Sequence, residues 1–431
     1  MCVLYLPLRL FFDKHTTLTL FVIIQALLAA IASYVLAKSA YKIIKSEFSF
    51  YAVFSIYASS LYVANYNHRL YSESLALSAI IFAFYFFIET MESKKTVHVF
   101  LMSLFIIWAV FLRPFLAPLI ILVGLLFLYK SISRAMKIKS LLVFGMPILL
   151  IFGSWTYRNY LNSSAFIPLQ SGSNWYDSDE VTKSRTDFIR AFGLGWIWWN
   201  ENSEHTWFMN DETIKKFNTR RPSDSIFTHR YFSKNMFSNG LTIDSLKKAR
   251  EYYWNSENNN FSETQRGQFA HKSASLLNKF IKLQKEKYPL NYYIVYPSNV
   301  FWKLLYQVHN ASITSIKYPL NVIFMFTDAI TNYSVFLFGF ISILLMLFFN
   351  RVRLFEMSII IIPMFLLSYF SFVLRIDESR FVTMNFPFLL IASVYGISIL
   401  NRVKISKYLF LSIISILIYG GINSVLTDIK W

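Results

Sequence analysis

Runs of apolar residues long enough to cross a bilayer recur along the chain, separated by short polar runs rich in lysine and arginine. A transmembrane helix needs roughly 20 such residues. That length predicts spans at about 17–37, 49–65, 73–89, 97–112, 115–129 and 141–156, then at about 333–349, 357–374, 382–400 and 408–425. The expected fold class is an all-α polytopic membrane protein with about ten transmembrane helices. The fourth and fifth spans should form a tight hairpin turned at Arg113-Pro114.

A polar stretch follows the sixth span and reaches about residue 318, too long for a structureless loop in a compact protein. It predicts one large, mainly helical extracytoplasmic domain. The chain thus divides into an N-terminal transmembrane region at 1–156, a loop domain at 157–318 and a C-terminal transmembrane region at 319–431. Ser262 followed by Gln265 reads as a capping box opening a helix through Phe269, Leu276, Leu277, Phe280 and Leu283, with Pro289 ending it. Asp244 is expected to cap a second helix through Tyr252 and Tyr253. The segments Gly193 to Trp199 and Phe301 to Tyr306 carry the Trp and Tyr that favour the headgroup layer.

Composition agrees with membrane residence: 55% of residues are hydrophobic and only 15% charged, against about 25% charged in soluble domains. The net charge of +18 would suit a nucleic-acid partner, but its placement gives another reading. Lys38, Lys42, Lys45, Lys94, Lys95, Lys130, Arg134, Lys137, Lys139, Arg351, Arg353, Arg402, Lys404 and Lys407 all fall in alternate short loops. That is the positive-inside pattern and needs no polyanion. It also places both termini outside. Cys2 is the only cysteine, which excludes an intrachain disulfide. The first apolar run ends at lysines rather than at a small-residue cleavage site, so no signal peptide is read. An outside N-terminus without one predicts a further span upstream of Met1.

The candidate chemistry lies on the opposite face from the lysines. Arg69 and Glu73 share a helix face at i, i+4 spacing; the plain reading is an interfacial ion pair, the functional one a carboxylate placed to accept a proton from an alcohol. Arg113 is either a snorkelling turn residue or a fork suited to phosphate. Arg158 follows a span as an ordinary anchor would. Arg375, Asp377, Glu378 and Arg380 crowd one short loop, where a solvated turn is the simpler account. The histidines show no metal-ligand spacing, and no HExxH, CxxC, P-loop or GxGxxG motif is present.

In order along the chain, Tyr71-Ser72-Glu73, Leu112-Arg113-Pro114, Trp155-x-x-Arg158-Asn159-Tyr160, Ala165-Phe166-Ile167-Pro168 and Glu378-x-Arg380-Phe381 with Pro387 following resemble the polytopic GT-C glycosyltransferases. This superfamily includes protein O-mannosyltransferases and lipid A aminoarabinose transferases. The resemblance implies transfer of a sugar from a polyprenyl-phosphate carrier to a lipid, glycan or protein acceptor. The expected setting is a bacterial inner (cell) membrane, with the active face extracytoplasmic. It implies Glu73 on the acceptor or sugar side as the catalytic group, with Arg69 orienting it. Arg113, Arg158, Glu378 and Arg380 would serve the carrier phosphate and substrate. The partners implied are the lipid-linked donor, an unidentified acceptor and the bilayer, with no nucleic acid. No cofactor is implied with certainty, and a divalent cation stays open.

One departure is large. The family places its main catalytic acid in the first extracytoplasmic loop, and Met1 to Phe12 resembles the stretch after that loop. Asp13 lies too close to the next span to replace it. The expectation is a chain lacking its N-terminal span. The alternatives are an inactive relative or a flippase or transporter of lipid-linked polysaccharide.

Overall fold

In a computed structural model of the chain, the structure describes residues 2–67, 72–164, 166, 180–192, 207–216, 241–306, 320–349, 353–375 and 382–403. Every regular element among them is helical. The chain separates into two compact units, one formed by residues 1–170, 305–366 and 379–431, the other by 171–304 and 367–378.

The first unit opens with α1 (Cys2–Phe11) and α2 (Lys14–Ile44). Asp13 caps α2, its carboxylate accepting from the His15 amide at 2.8 Å and the Thr16 amide at 3.1 Å. The predicted second span is broken: α3 (Glu47–Ser59) and α4 (Leu61–Asn67) meet at Ser60, whose backbone is extended at φ −67° and ψ 112°. The Ser60 hydroxyl accepts from the Val63 amide at 3.3 Å. A serine side chain that can satisfy the backbone locally competes with helix continuation, and the apolar run gives no sign of it.

Next come α5 (Ser72–Ser93) and α6 (Thr96–Leu112). Arg113 leaves α6 with an extended backbone, as the residue before a proline prefers. A 3-10 helix, Pro114–Ile120, then leads into α7 (Ile121–Leu128), and α8 (Arg134–Ser163) closes the N-terminal half.

Ring and ion-pair contacts fix the helix directions. Lys42 near the end of α2 pairs with Glu89 and Glu92 near the end of α5 at 2.7 and 2.6 Å, so these helices run parallel. Phe105 of α6 stacks on Phe86 and lies tilted against Phe82, making α5 and α6 antiparallel with Phe86–His98. Ser103 donates to the Phe144 carbonyl at 2.7 Å while Phe111 stacks on Phe152, so α6 and α8 run parallel. The starting end of α5 therefore lies with the closing ends of α6 and α8.

The second unit contains α9 (Glu180–Ala191), α10 (Asp211–Lys216), α11 (Ile243–Glu257), α12 (Glu263–Lys287) and α13 (Tyr296–Tyr306, whose last two residues group with the first unit). The Ser262–Gln265 capping box opens α12 as expected. For α11 the expectation needs correcting: Thr242 is the N-cap, in a box with Ser245, and Asp244 lies in the first turn. Phe188, Trp207, Phe208, Leu246, Leu277 and Phe280 form its core. Arg250 lies over the rings of Trp207 and Trp254 at 4.1 and 4.9 Å.

The C-terminal helices are α14 (Leu320–Phe349), α15 (Leu354–Ser368), continued by a π-helical turn at Tyr369–Leu374, and α16 (Phe386–Val403) after a 3-10 turn at Thr383–Asn385. In the first unit, a Cβ on Gly339 or Gly396 would collide with Leu389 or Ser342, so α14 and α16 approach closely at small residues. Among the described residues, five helices are long and apolar enough to span a bilayer: Lys14–Ile44, Ser72–Ser93, Arg134–Ser163, Leu354–Leu374 and Thr383–Leu400. Shorter apolar helices occupy Thr96–Leu112, Pro114–Leu128 and Ser334–Phe348. The span predicted at 408–425 and the segment Gly193 to Trp199 lie outside the described residues.

Candidate functional site

The antiparallel α5–α6 hairpin sets the first turn of α5 against the last residue of α6. Glu73 stands in that first turn, where the helix dipole favours a negative charge. It is only 2% exposed, and one carboxylate oxygen forms an ion pair with the Arg113 guanidinium. The second oxygen, Oε2, is buried with no hydrogen-bond partner among the described residues, and so is Arg113 Nε. A buried carboxylate with one satisfied and one unsatisfied oxygen is costly. Beside it, Ser74 donates to Asn67 Oδ1 at 2.7 Å, tying α4 to the same end of α5.

Arg158 reaches this end from α8. Its guanidinium lies 5.0 Å from the centre of the Trp155 ring, and Trp155 meets Phe111 edge-on at 5.5 Å. Phe111 is two residues before Arg113, so the aromatic contact carries the exposed Arg158 to the end of the bundle that holds the ion pair. The structure thus pairs Glu73 with Arg113 and sets Arg158 on Trp155 at the same end of the helices. Arg69, expected to orient Glu73, and Glu378 and Arg380, expected at the substrate, lie outside the described residues.

Towards the other end of α5, about 24–29 Å along the helix from Glu73, Lys42, Lys45, Glu89 and Glu92 form a separate ionic cluster. Two further charges are buried: Glu356, which the sequence reading did not single out, and Arg375, which it placed in a solvated turn. In the first unit, Glu356 is fully buried and accepts from Arg353 Nε at 2.9 Å and Nη2 at 2.7 Å, and from the Tyr395 hydroxyl. In the second unit, Arg375 is 8% exposed, donates to the Arg190 carbonyl at 3.0 Å and lies 4.2 Å over the Tyr292 ring. Burial pulls its guanidinium below the usual arginine range. The Arg-x-x-Glu spacing at 353–356 was the available signal for the first; nothing local marks the second. Among the described residues no three His, Cys, Asp or Glu side chains gather as a metal site needs.

A bundle of apolar helices, with a buried carboxylate–guanidinium pair and a further arginine at one end, defines an integral membrane protein with a polar site at its helix ends. Residues 1–158 match the model of the Alg9-like mannosyltransferase family, a segment that contains Glu73, Arg113 and Arg158. The match indicates a membrane glycosyltransferase using a lipid-linked sugar donor and supports the GT-C superfamily, without distinguishing the subtype. No curated protein and no solved structure matches the chain significantly.

Proposed function

We propose that this protein moves a sugar from a polyprenyl-phosphate carrier to a lipid, glycan or protein acceptor at the extracytoplasmic face of a cell membrane. The observation that carries this reading is the half-satisfied carboxylate of Glu73, buried beside Arg113 at the helix ends. The acceptor oxygen forms a bond to the anomeric carbon as the bond from that carbon to the phosphate oxygen breaks. The carrier leaves as a lipid phosphate, and the acceptor proton passes to a base. Glu73 Oε2 accepts the hydrogen bond of the acceptor or sugar hydroxyl, with Arg113 holding the carboxylate in place. Arg158, together with Arg380, supplies positive charge where the leaving phosphate develops negative charge.

The family whose model matches is one of mannosyltransferases, which favours a mannosyl unit as the sugar. The reading is completed by about ten spans and by an extracytoplasmic domain at 157–318 that recognises the acceptor. The test is transfer from a mannosyl polyprenyl phosphate by membranes containing the wild type, Glu73→Gln or Arg380→Ala. Both variants should insert normally and lose transfer; full activity in both refutes the assignment.

A further inference from the structure

We propose that the second unit docks on bilayer phospholipid through residues 290–302, with a basic rim beside that segment selecting anionic headgroups. Docking on lipid is separate from the transfer reaction and does not depend on it.

The exposed apolar surface of this unit is confined to one stretch and one span end. Among the described residues of 171–304, every exposed large apolar side chain falls between Leu290 and Trp302: Leu290 at 63%, Tyr293, Ile294, Val295 and Trp302. On a surface that meets only water such side chains are normally scattered singly. Leu290 and Ile294 stand at i, i+4 spacing and Val295 and Trp302 at i, i+7, and each spacing puts its pair on one helix face.

The local fold explains the exposure. Tyr288 caps α12, Pro289 follows, and the chain resumes as a π-helical turn at Asn291–Val295 that leads into α13. The turn faces two ways. Tyr292 packs against the core that holds Phe188, Leu277 and Phe280, whereas Tyr293, Ile294 and Val295 point away from it. Val300 and Leu304 then return α13 to the interior.

Arg375 gives the segment its depth. Leu354–Leu374 is long and apolar enough to cross a bilayer, and its last residues, with Phe372 and Val373 exposed, belong to the same unit. Arg375 ends that span in a left-handed backbone conformation, φ 52°, and its guanidinium lies 4.2 Å over the Tyr292 ring. The face at 293–295 is continuous with that ring, so it lies where the span leaves the apolar layer. A helix with an apolar face at that depth lies in the plane of the interface instead of crossing it.

Charge identifies the partner. Lys285 Nζ lies 5.1 Å from the centre of the same Tyr292 ring, and Lys287 follows in the last turn of α12. The intervening acid, Glu286, pairs with Lys282 at 3.8 Å. Arg375, Lys285 and Lys287 therefore place positive charge beside the apolar face. A twofold contact with a second copy would set these cations against one another. An anionic phospholipid supplies an apolar layer for the face and a phosphate for the rim.

The test uses the full chain in nanodiscs, with Cys2→Ser and a single nitroxide-labelled cysteine at Leu290→Cys, Ile294→Cys or Gln268→Cys. Gln268, exposed on α12, is the aqueous reference. Labels at 290 and 294 should be relaxed by oxygen and shielded from a water-soluble nickel chelate, which places them about 5–10 Å into the boundary layer. The label at 268 should show the reverse. Nickel access at 290 and 294 equal to that at 268 overturns the proposal. Shielding from both reagents overturns it as well, because protein, from this chain or a second copy, then covers the face. For lipid choice, brominated phosphatidylglycerol should quench a bimane at Ile294→Cys at a lower mole fraction than brominated phosphatidylcholine. Lys285→Gln and Lys287→Gln should each reduce that preference about fivefold. Equal quenching by the two lipids overturns the selection of anionic headgroups.

Discussion

The carboxylate of Glu73 and the guanidinium of Arg113 face each other across a helical hairpin, one at the start of α5, the other just past the end of α6. Glu73 is 2% exposed and the Arg113 side chain 20%, so removing one partner strands a charge in an apolar site, at a cost of about 3–5 kcal/mol. Arg113→Leu should therefore lower the unfolding temperature in detergent more than the double variant Glu73→Leu/Arg113→Leu, which removes both charges. Both should be inactive. Equal melting of the single and double variants would show that the pair is solvated and carries no special role.

Arg158 depends on Trp155 for its place. Trp155 also seats α8 against Phe111. Trp155→Leu should keep the packing in part but free the guanidinium, raising KM for the donor more than it lowers kcat. Arg158→Ala should weaken donor binding more strongly still, and Arg158→Lys should recover part of it, since a lysine supplies the charge without the planar fork. A variant pair with unchanged donor KM would remove Arg158 from the site.

Span positions were legible in part, because apolar run length is a local property: five of the ten predicted segments coincide with helices long and apolar enough to cross a bilayer, among them α2, α5 and α8. The capping box at Ser262 was legible for the same reason, as a side chain three residues from its partner. What the sequence hid is tertiary. The break at Ser60 interrupts an apolar run that looks continuous, through one hydroxyl bonded to the Val63 amide. Arg69, the partner that i, i+4 spacing offered Glu73, lies outside the described residues; the hairpin register brings Arg113 to Glu73 as well. That register was open to inference, since equal antiparallel spans put the start of one against the end of the next. Arg353 was read as a loop charge; it pairs with Glu356, which the sequence reading did not single out and whose buried carboxylate also accepts from Tyr395.

Asp13 offers a pH test outside the membrane-spanning segments. Its hydrogen bonds from the Thr16 hydroxyl and amide and from the His15 amide hold its carboxyl below the ordinary aspartate range. A carboxylate whose folded-state pKa lies below its unfolded value stabilises the folded state above the unfolded pKa. That contribution disappears as pH falls through the folded pKa. The first-turn amides of α2 should therefore gain exchange, corrected for intrinsic rate, on acidification below the usual carboxylate range. Asp13→Asn keeps a capping oxygen without a titrating proton and should flatten that dependence. A profile identical in both proteins would separate the cap from the titration.

Glu356 ties α15 to α16 within the first unit. Its carboxylate is fully buried, receives the Arg353 side chain and backbone amide, and accepts from Tyr395. The Arg353 side chain is 61% exposed, so solvent screens its part of the pair, whereas the Glu356 charge has no access to water. The hydrogen bonds from Tyr395 and from the Arg353 amide should then matter as much as the guanidinium. Tyr395→Phe deletes one donor to a buried charge and should cost about 1.5–3 kcal/mol. Arg353→Ala should cost no more than that, because water can replace part of an exposed guanidinium. Glu356→Gln keeps the shape, loses the charge and should be milder than Glu356→Leu, which leaves Tyr395 and the Arg353 amide unpaired. Thermal unfolding of the four variants in one detergent gives the order. If Arg353→Ala proves the most damaging, the cluster is held by Coulomb attraction rather than by hydrogen bonds to a desolvated carboxylate.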